Sequence, residues 1–398
     1  MFANNYINKN IVYPRFIESP IKEDVRLIVM VPCLNEPEII QTLSSLWACD
    51  SPEFACEVIV VVNESETSSD GIKTANENTY RQLLAWKQAN DRNGMILHPI
   101  YARSVNAKSA GAGMARKIGM DEAVRRFNDL GKSDGIIVSL DADCLVSVNY
   151  LQQIGQTFTS NKYCFAATIN FRHRVDELSD EKQRLGIQLY EDYLHYYKKA
   201  LDFTGFPNSI YTIGSAFAVR VDAYVKQGGM NRRQAGEDFY FLNKLTNLGA
   251  ITEITEAFVY PSARVSDRVP FGTGAAMNKW MNEEGDLTLT YNFAAFLDLK
   301  QLFDRVDWFY KATPEISSEV KALLSESVLD YLMTIEFDGK IIEINKYSST
   351  LLAFRKRFFQ FFDAFLIMRF LNISHQDYYL RQNLREAMAL LENVISRI

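Results

Sequence analysis

Histidine and cysteine are scarce in this chain, four and five among 398 residues. Cys33, Cys49, Cys56, Cys144 and Cys164 are scattered, with no C-x-x-C pair and no Cys/His ligand spacing. They read as reduced cytosolic thiols acting as small hydrophobes. His98, His173 and His195 have no partner at the spacing of a metal site or of a Ser or Cys triad. The nucleophile elbow G-x-S-x-G and the phosphate loop G-x-x-x-x-G-K-[ST] are both absent. No charge-free apolar run approaches the roughly 18 residues of a spanning helix. Met1-Phe2-Ala3-Asn4-Asn5 lacks a basic stretch followed by an apolar one, so no signal peptide is expected and a cytoplasmic location is. The formal net charge of −6 weighs against a nucleic-acid partner, which wants a basic face. Internal repeats and low-complexity tracts are also missing.

What is present is enough for a large core. The chain is 47% hydrophobic and 13% aromatic, which excludes disorder. Arg26-Leu27-Ile28-Val29-Met30-Val31 reads as a buried strand broken by Pro32. Glu57 to Val62 is a second, and 95–101 a third. Helices are expected from Pro37 to about Trp47 and over 73–90. Another runs through Met120, Ala123, Val124 and Phe127 until Gly131 stops it. Such alternation means an α/β fold with a mostly parallel sheet and helices on both faces. From 151 to about 205 the chain reads as helical, with Tyr190, Tyr193, Tyr196 and Tyr197 forming either a half-buried aromatic face or a platform for an acceptor. A strand is expected over 211–220 and a helix from Gly236 to Leu248. Residues 1–295 are expected to form the main domain and 296–398 a helical appendage. In the appendage Phe358, Phe361, Phe362 and Phe365 keep helical spacing behind Arg355-Lys356-Arg357. That stripe suits core packing or an interfacial membrane helix, which leaves peripheral membrane contact open.

Strand 135–140 delivers Asp141-Ala142-Asp143. In open α/β sheets ligands bind beyond the carboxyl ends of the strands. Two carboxylates placed there suit a hard divalent cation, which takes oxygen ligands from one or two carboxylates plus substrate phosphates.

Several motifs in order resemble family 2 nucleotide-sugar glycosyltransferases of the GT-A fold, over about residues 25–275. They are Pro32-Cys33-Leu34-Asn35-Glu36, Asn63-Glu64-Ser65, Lys108 to Gly119, Asp141-Ala142-Asp143, and Gly228-Gly229 followed by Glu237-Asp238. The resemblance implies that Pro32, Asn35, Glu36 and Asn63 line a nucleoside pocket, and that Lys108 reaches ribose or phosphate. Asn63 stands where the family often has Asp, which leaves the base unassigned. Gly111, Ala112 and Gly113 would let backbone approach the ligand, or would serve close helix–sheet packing. Asp141 would meet ribose or a metal-bound water, and Asp143 would bind Mn²⁺ or Mg²⁺. Asp238 would be the general base, with Glu237 orienting the acceptor. Family members often carry a metal-ligating His in a closing loop. Between His195 and His375 this chain has none, so Asp267 is the substitute ligand candidate, with Arg264 and Arg268 as pyrophosphate clamps.

The expected activity is therefore metal-dependent transfer of a sugar from a UDP- or GDP-sugar to a carbohydrate or glycolipid hydroxyl, as in polysaccharide biosynthesis, with inversion. Retention of configuration and a non-catalytic sugar-nucleotide scaffold remain as alternatives. A nucleotidyltransferase would want a Gly-rich basic loop after the first strand, where Pro32-Cys33-Leu34-Asn35-Glu36 stands instead.

Overall fold

The computed structural model describes residues 1–108, 110–232, 236–265 and 272–397. The chain divides into two compact units, Met1–Ser179 with Thr212–Ala275, and Asp180–Tyr211 with Ala276–Ile398.

The first unit is built on an eight-stranded sheet. Its strands are β1 (Val25–Cys33), β2 (Ala55–Ser65), β3 (Met95–Val105), β4 (Ile136–Ser139), β5 (Leu145–Val146), β6 (Ala166–Phe171), β7 (Phe217–Arg220) and β8 (Thr252–Tyr260). Their order is β3-β2-β1-β4-β7-β6-β8-β5. The neighbours β1 to β4 pair in parallel, as do β6 and β8, while β7 runs antiparallel to both β4 and β6. β1 and β2 are apolar on both faces because helices cover both. Leu27, Val29 and Val31 join one core with Ile39, Leu43 and Leu46 of helix Ile39–Trp47 and with Leu151, Ile154 and Phe158 of helix Tyr150–Ser160. Met30 points the other way, toward helix Ala112–Asp129, where a Cβ on Gly119 would lie 2.5 Å from Met30 Cγ. Helix and sheet therefore pack closely at Gly119. The α/β architecture with a helical C-terminal region agrees with the expectation.

Parallel β1, β2, β3 and β4 bring their carboxyl ends to one edge. Antiparallel β7 enters at that edge, with Phe217 opposite Ser139. This edge collects the candidate chemistry.

Two expectations need correction. The stretch 151–205 is not one helical run: helix Tyr150–Ser160 is followed by β6, and only then by helix Glu181–Thr204. β6 begins Ala166-Ala167-Thr168, whose alanines fit a helix in isolation, and burial in the sheet overrides that preference. The strand expected over 211–220 narrows to Phe217–Arg220.

The second unit is helical and its core is aromatic. Helix Glu181–Thr204 belongs here: Tyr196 donates to the Tyr291 carbonyl (3.0 Å) and meets Phe296 edge-on. The compact unit thus takes in residues both before and after the expected 295/296 division. Tyr190, Tyr193 and Tyr197 are half-buried and Tyr196 is buried. Phe358 and Phe362 are buried in this aromatic unit, and Phe361 and Phe365 are half-buried. The expected single stripe is split: helix Leu351–Phe361 ends there, Asp363 caps the next, and Phe365 lies in helix Ala364–Asp377. No helix among the described residues is long and apolar enough to cross a membrane.

Candidate active site

Helix Ala112–Asp129 starts where β3 ends, and its first turn carries Arg116 into the interior. Arg116 is 4% exposed. Its neighbours Met114, Ala115 and Ile118 are buried too, so the helix is held too deep for the side chain to reach water. The guanidinium instead donates to Asp141 beyond β4 and to Glu237 at the start of helix Glu237–Leu245. Burial works against its charge, but Asp141, Glu237 and Asp238 outweigh that and hold its pKa above the ordinary value. The buried Nε has no hydrogen-bond partner among the described residues. Gly214 makes this arrangement possible, because a Cβ there would sit 2.6 Å from Arg116 Nη2 and 3.0 Å from Asp238 Oδ2.

Asp238 is half-buried and accepts from the Phe239 amide (2.7 Å). Burial pushes its carboxyl up to about 6; Arg116 pulls it down and Glu237 pushes it up. Glu237 is buried, and Asn231 donates to its carbonyl (3.1 Å).

A second arginine works on the other D-x-D carboxylate. Arg264 donates to both Glu36 oxygens (3.0 and 2.6 Å) and lies 3.6 Å from Asp143. The hydrogen bonds to Glu36 raise the Arg264 pKa. Glu36 is 4% exposed, so its carboxylate is engaged by Arg264 at the end of β1. Arg116 and Arg264 therefore each bridge one aspartate of Asp141-Ala142-Asp143 to an acid from a distant element.

The other predicted residues fall at the same edge. Pro32 lies in β1 and Asn63 in β2. Asn35 adopts a left-handed φ of 47°, which Asn tolerates better than most residues. Its amide donates to Asn76 Oδ1 (2.9 Å), while Asn76 Nδ2 donates to the Asn63 carbonyl (3.2 Å). Asn63 Nδ2 in turn donates to the Gly111 carbonyl (3.3 Å). Lys108 is exposed, and its amide donates to Asn106 Oδ1 (3.0 Å). Asp267 and Arg268 lie outside the described residues. Sequence reasoning gave no role to Arg116 and did not single out Asn76. Arg116 sits in the quoted motif, and a cation flanked by Met114, Ala115 and Ile118 was the available signal. Asn76 is a buried amide in a polar helix, which leaves no pattern.

No group of three or more His, Cys, Asp or Glu able to hold a metal ion occurs among the described residues. Asp141 and Asp143 are about one-third exposed, at 34% and 30%. Two such carboxylates fit Mg²⁺ or Mn²⁺ when phosphate oxygens complete the shell.

No protein-family model matches the chain, and no curated protein does. Among solved structures the chain is similar to nucleotide-sugar enzymes. TarS 1–349 of S. aureus in complex with UDP-GlcNAc is 15% identical, over 90% of this chain and 93% of that one, at a TM-score of 0.44. A mannosyltransferase of Pyrobaculum calidifontis in complex with GDP-Man and Mn²⁺ is 17% identical, over 99% and 85%, at 0.40. Glucosyl-3-phosphoglycerate synthase of Mycobacterium tuberculosis in complex with Mg²⁺ and UDP is 16% identical, over 69% and 79%, at 0.33. At such identities and TM-scores the likeness says nothing of substrate, and function has to be read from the site.

Proposed function

We propose that the chain is a glycosyltransferase that moves a sugar from a nucleotide-sugar donor to a hydroxyl of a carbohydrate or glycolipid acceptor, with inversion. The observation that carries this reading is the convergence of Asp141, Glu237 and Asp238 on buried Arg116 at the carboxyl edge of the sheet. One of these acids, Asp238, has its carboxyl pushed up to about 6, close to the value an efficient general base needs near neutral pH. Asp238 takes the acceptor proton, and Glu237, fixed by Arg116, orients the acceptor. Pro32, Asn35 and Asn63 bound the nucleoside side, with Lys108 toward ribose or phosphate. Arg264, which donates to Glu36 and lies 3.6 Å from Asp143, is proposed as the guanidinium fork that clamps the diphosphate oxygens. Asp267 and Arg268 remain proposed for the closing loop. Asp143 and Asp141 would hold Mn²⁺ or Mg²⁺, which offsets charge gathering on the leaving diphosphate when bound.

The test is a thermal-shift panel of UDP, GDP and their sugars, with and without Mn²⁺, on wild type and Asp143→Ala. A ligand that binds only the folded state raises Tm by mass action. A Mn²⁺-dependent rise with one nucleotide series, lost in Asp143→Ala, supports the donor site. Absence of any shift sinks it, and binding without turnover returns the chain to a scaffold.

A further inference from the structure

The helical second unit carries a surface that the transfer reading does not use. Between Ile344 and Phe362 the chain has four cations, Lys346, Arg355, Lys356 and Arg357, and no carboxylate, although its net charge is −6. The inward side of helix Leu351–Phe361 is fixed in the aromatic core by Phe354, Phe358 and Phe359. Its exposed residues are Leu351, Leu352, Arg355, Lys356, Arg357 and Gln360, and Leu352 is 79% exposed. The turn Val306–Phe309 lies against the start of this helix. Tyr310 Oη donates to the Ser349 carbonyl (2.9 Å), its ring is 5.6 Å from that of Phe354, and Arg355 reaches Asp307 at 3.4 Å. The turn adds exposed Trp308, at 56%, and Lys311, while the loop before the helix adds exposed Tyr347.

Charge alone would suit any polyanion. Exposed Leu351, Leu352, Trp308 and Tyr347 set among five cations, of which Arg355 is paired with Asp307, suit something narrower, a surface that offers anionic headgroups and hydrocarbon together. Indole and phenol rings favour that boundary, and basic side chains bind its charge. We infer that this face docks the protein on an anionic lipid bilayer, lying on it rather than crossing it. The inference is independent of the glycosyl-transfer reading, because none of these residues belongs to the candidate active site. It also relocates the expected membrane contact: Phe358 and Phe362 are core, and the exposed residues of helix Leu351–Phe361 meet lipid.

The experiment is co-sedimentation of the full chain with phosphatidylglycerol-rich vesicles, with phosphatidylcholine vesicles, and, separately, binding to heparin as a soluble polyanion. Wild type is expected on the anionic vesicles and not on the neutral ones. Each surface cation is worth about five-fold in binding, so Lys356→Gln with Arg357→Gln weakens it about twenty-five-fold. Trp308→Ser with Leu352→Ser is expected to abolish vesicle binding and leave heparin binding intact. All four positions are exposed, so the variants keep the fold, and circular dichroism checks this. Vesicle binding unmoved by the Trp308/Leu352 variant, or no binding of wild type to anionic vesicles at low salt, overturns the proposal. Equal loss of heparin binding in that variant overturns it as well.

Discussion

One helix, Ala112–Asp129, buries an arginine near each end, and the two surroundings differ in one respect. Arg126 meets a single carboxylate, Glu57, which it binds through two nitrogens, and it also donates to the Ser19 carbonyl (2.9 Å). His98 stands 3.4 Å from the same glutamate. Burial opposes the Glu57 charge, but His98 and Arg126 outweigh it and hold its pKa below the ordinary value. Arg116, equally buried, meets Asp141 and Glu237 and feels Asp238. Burial raises Asp238 to about 6, with Glu237 and Asp141 adding to the rise and Arg116, shared among the three acids, pulling it down only in part. A buried acid held by its own cations stays ionised, whereas a buried acid whose cation is shared can take a proton near neutral pH. That difference separates the candidate site from a strut.

The largest effect expected from breaking this contrast is on turnover. Asp238→Asn removes the proposed base and is expected to lower kcat about 10²–10⁴-fold, with donor binding by thermal shift retained. If kcat stays within a few-fold of wild type, the base lies elsewhere or the reaction retains configuration. Next comes the strut: Arg126→Met strands Glu57 and is expected to cost about 3–5 kcal/mol in denaturant unfolding. The acid limb of its pH–rate profile should stay where wild type has it, because Glu57 is not among the charges acting on Asp238.

The same Asp238→Asn variant separates titration from catalysis. The folded carboxyl lies above its unfolded value, so its stabilising contribution is complete below about pH 4 and is lost as pH rises through about 6. Wild type therefore bears a cost at pH 7 that the asparagine variant escapes. The difference in unfolding free energy should move in the variant's favour between pH 4 and 7, by up to about 3 kcal/mol. A constant difference across that range would mean that Asp238 is not raised. Arg116→Met sharpens the point from the other side. Losing the cation that pulls Asp238 down should carry the acid limb of kcat/KM upward by about one pH unit or more.

The sequence carried the edge residues better than the web that fixes them. Asn35 and Asp141 follow strand ends, Asn63 lies near the end of β2 and Asp238 in the first turn of a helix, where local pattern and motif are readable. The bridges from Arg116 to Glu237 and from Arg264 to Glu36 span 121 and 228 residues, and no local period encodes such pairings. β6 was hidden for a related reason, since its alanines become strand only when neighbours bury both faces. The aromatic helix Glu181–Thr204 shows tyrosines at helical spacing whatever it packs on, so its place in the second unit could not be read from spacing.

The smallest effect, and the most specific, is expected at Gly214. A methyl there would lie 2.6 Å from Arg116 Nη2, 2.8 Å from its Cζ and 3.0 Å from Asp238 Oδ2. Arg116 is already held on Asp141 and Glu237, so it cannot yield without loosening one of them. Gly214→Ala should then cost about 1–3 kcal/mol of stability, as overpacking does, and lower kcat as well. Gly119→Ala is the matched control on the same helix as Arg116. Its methyl would press on Met30 Cγ at 2.5 Å and on Val61, in an apolar contact with no charge nearby. A comparable loss of Tm is expected there with kcat unchanged. If the two alanines lower kcat alike, crowding anywhere on the helix suffices, and Arg116 has no special part in holding the acids.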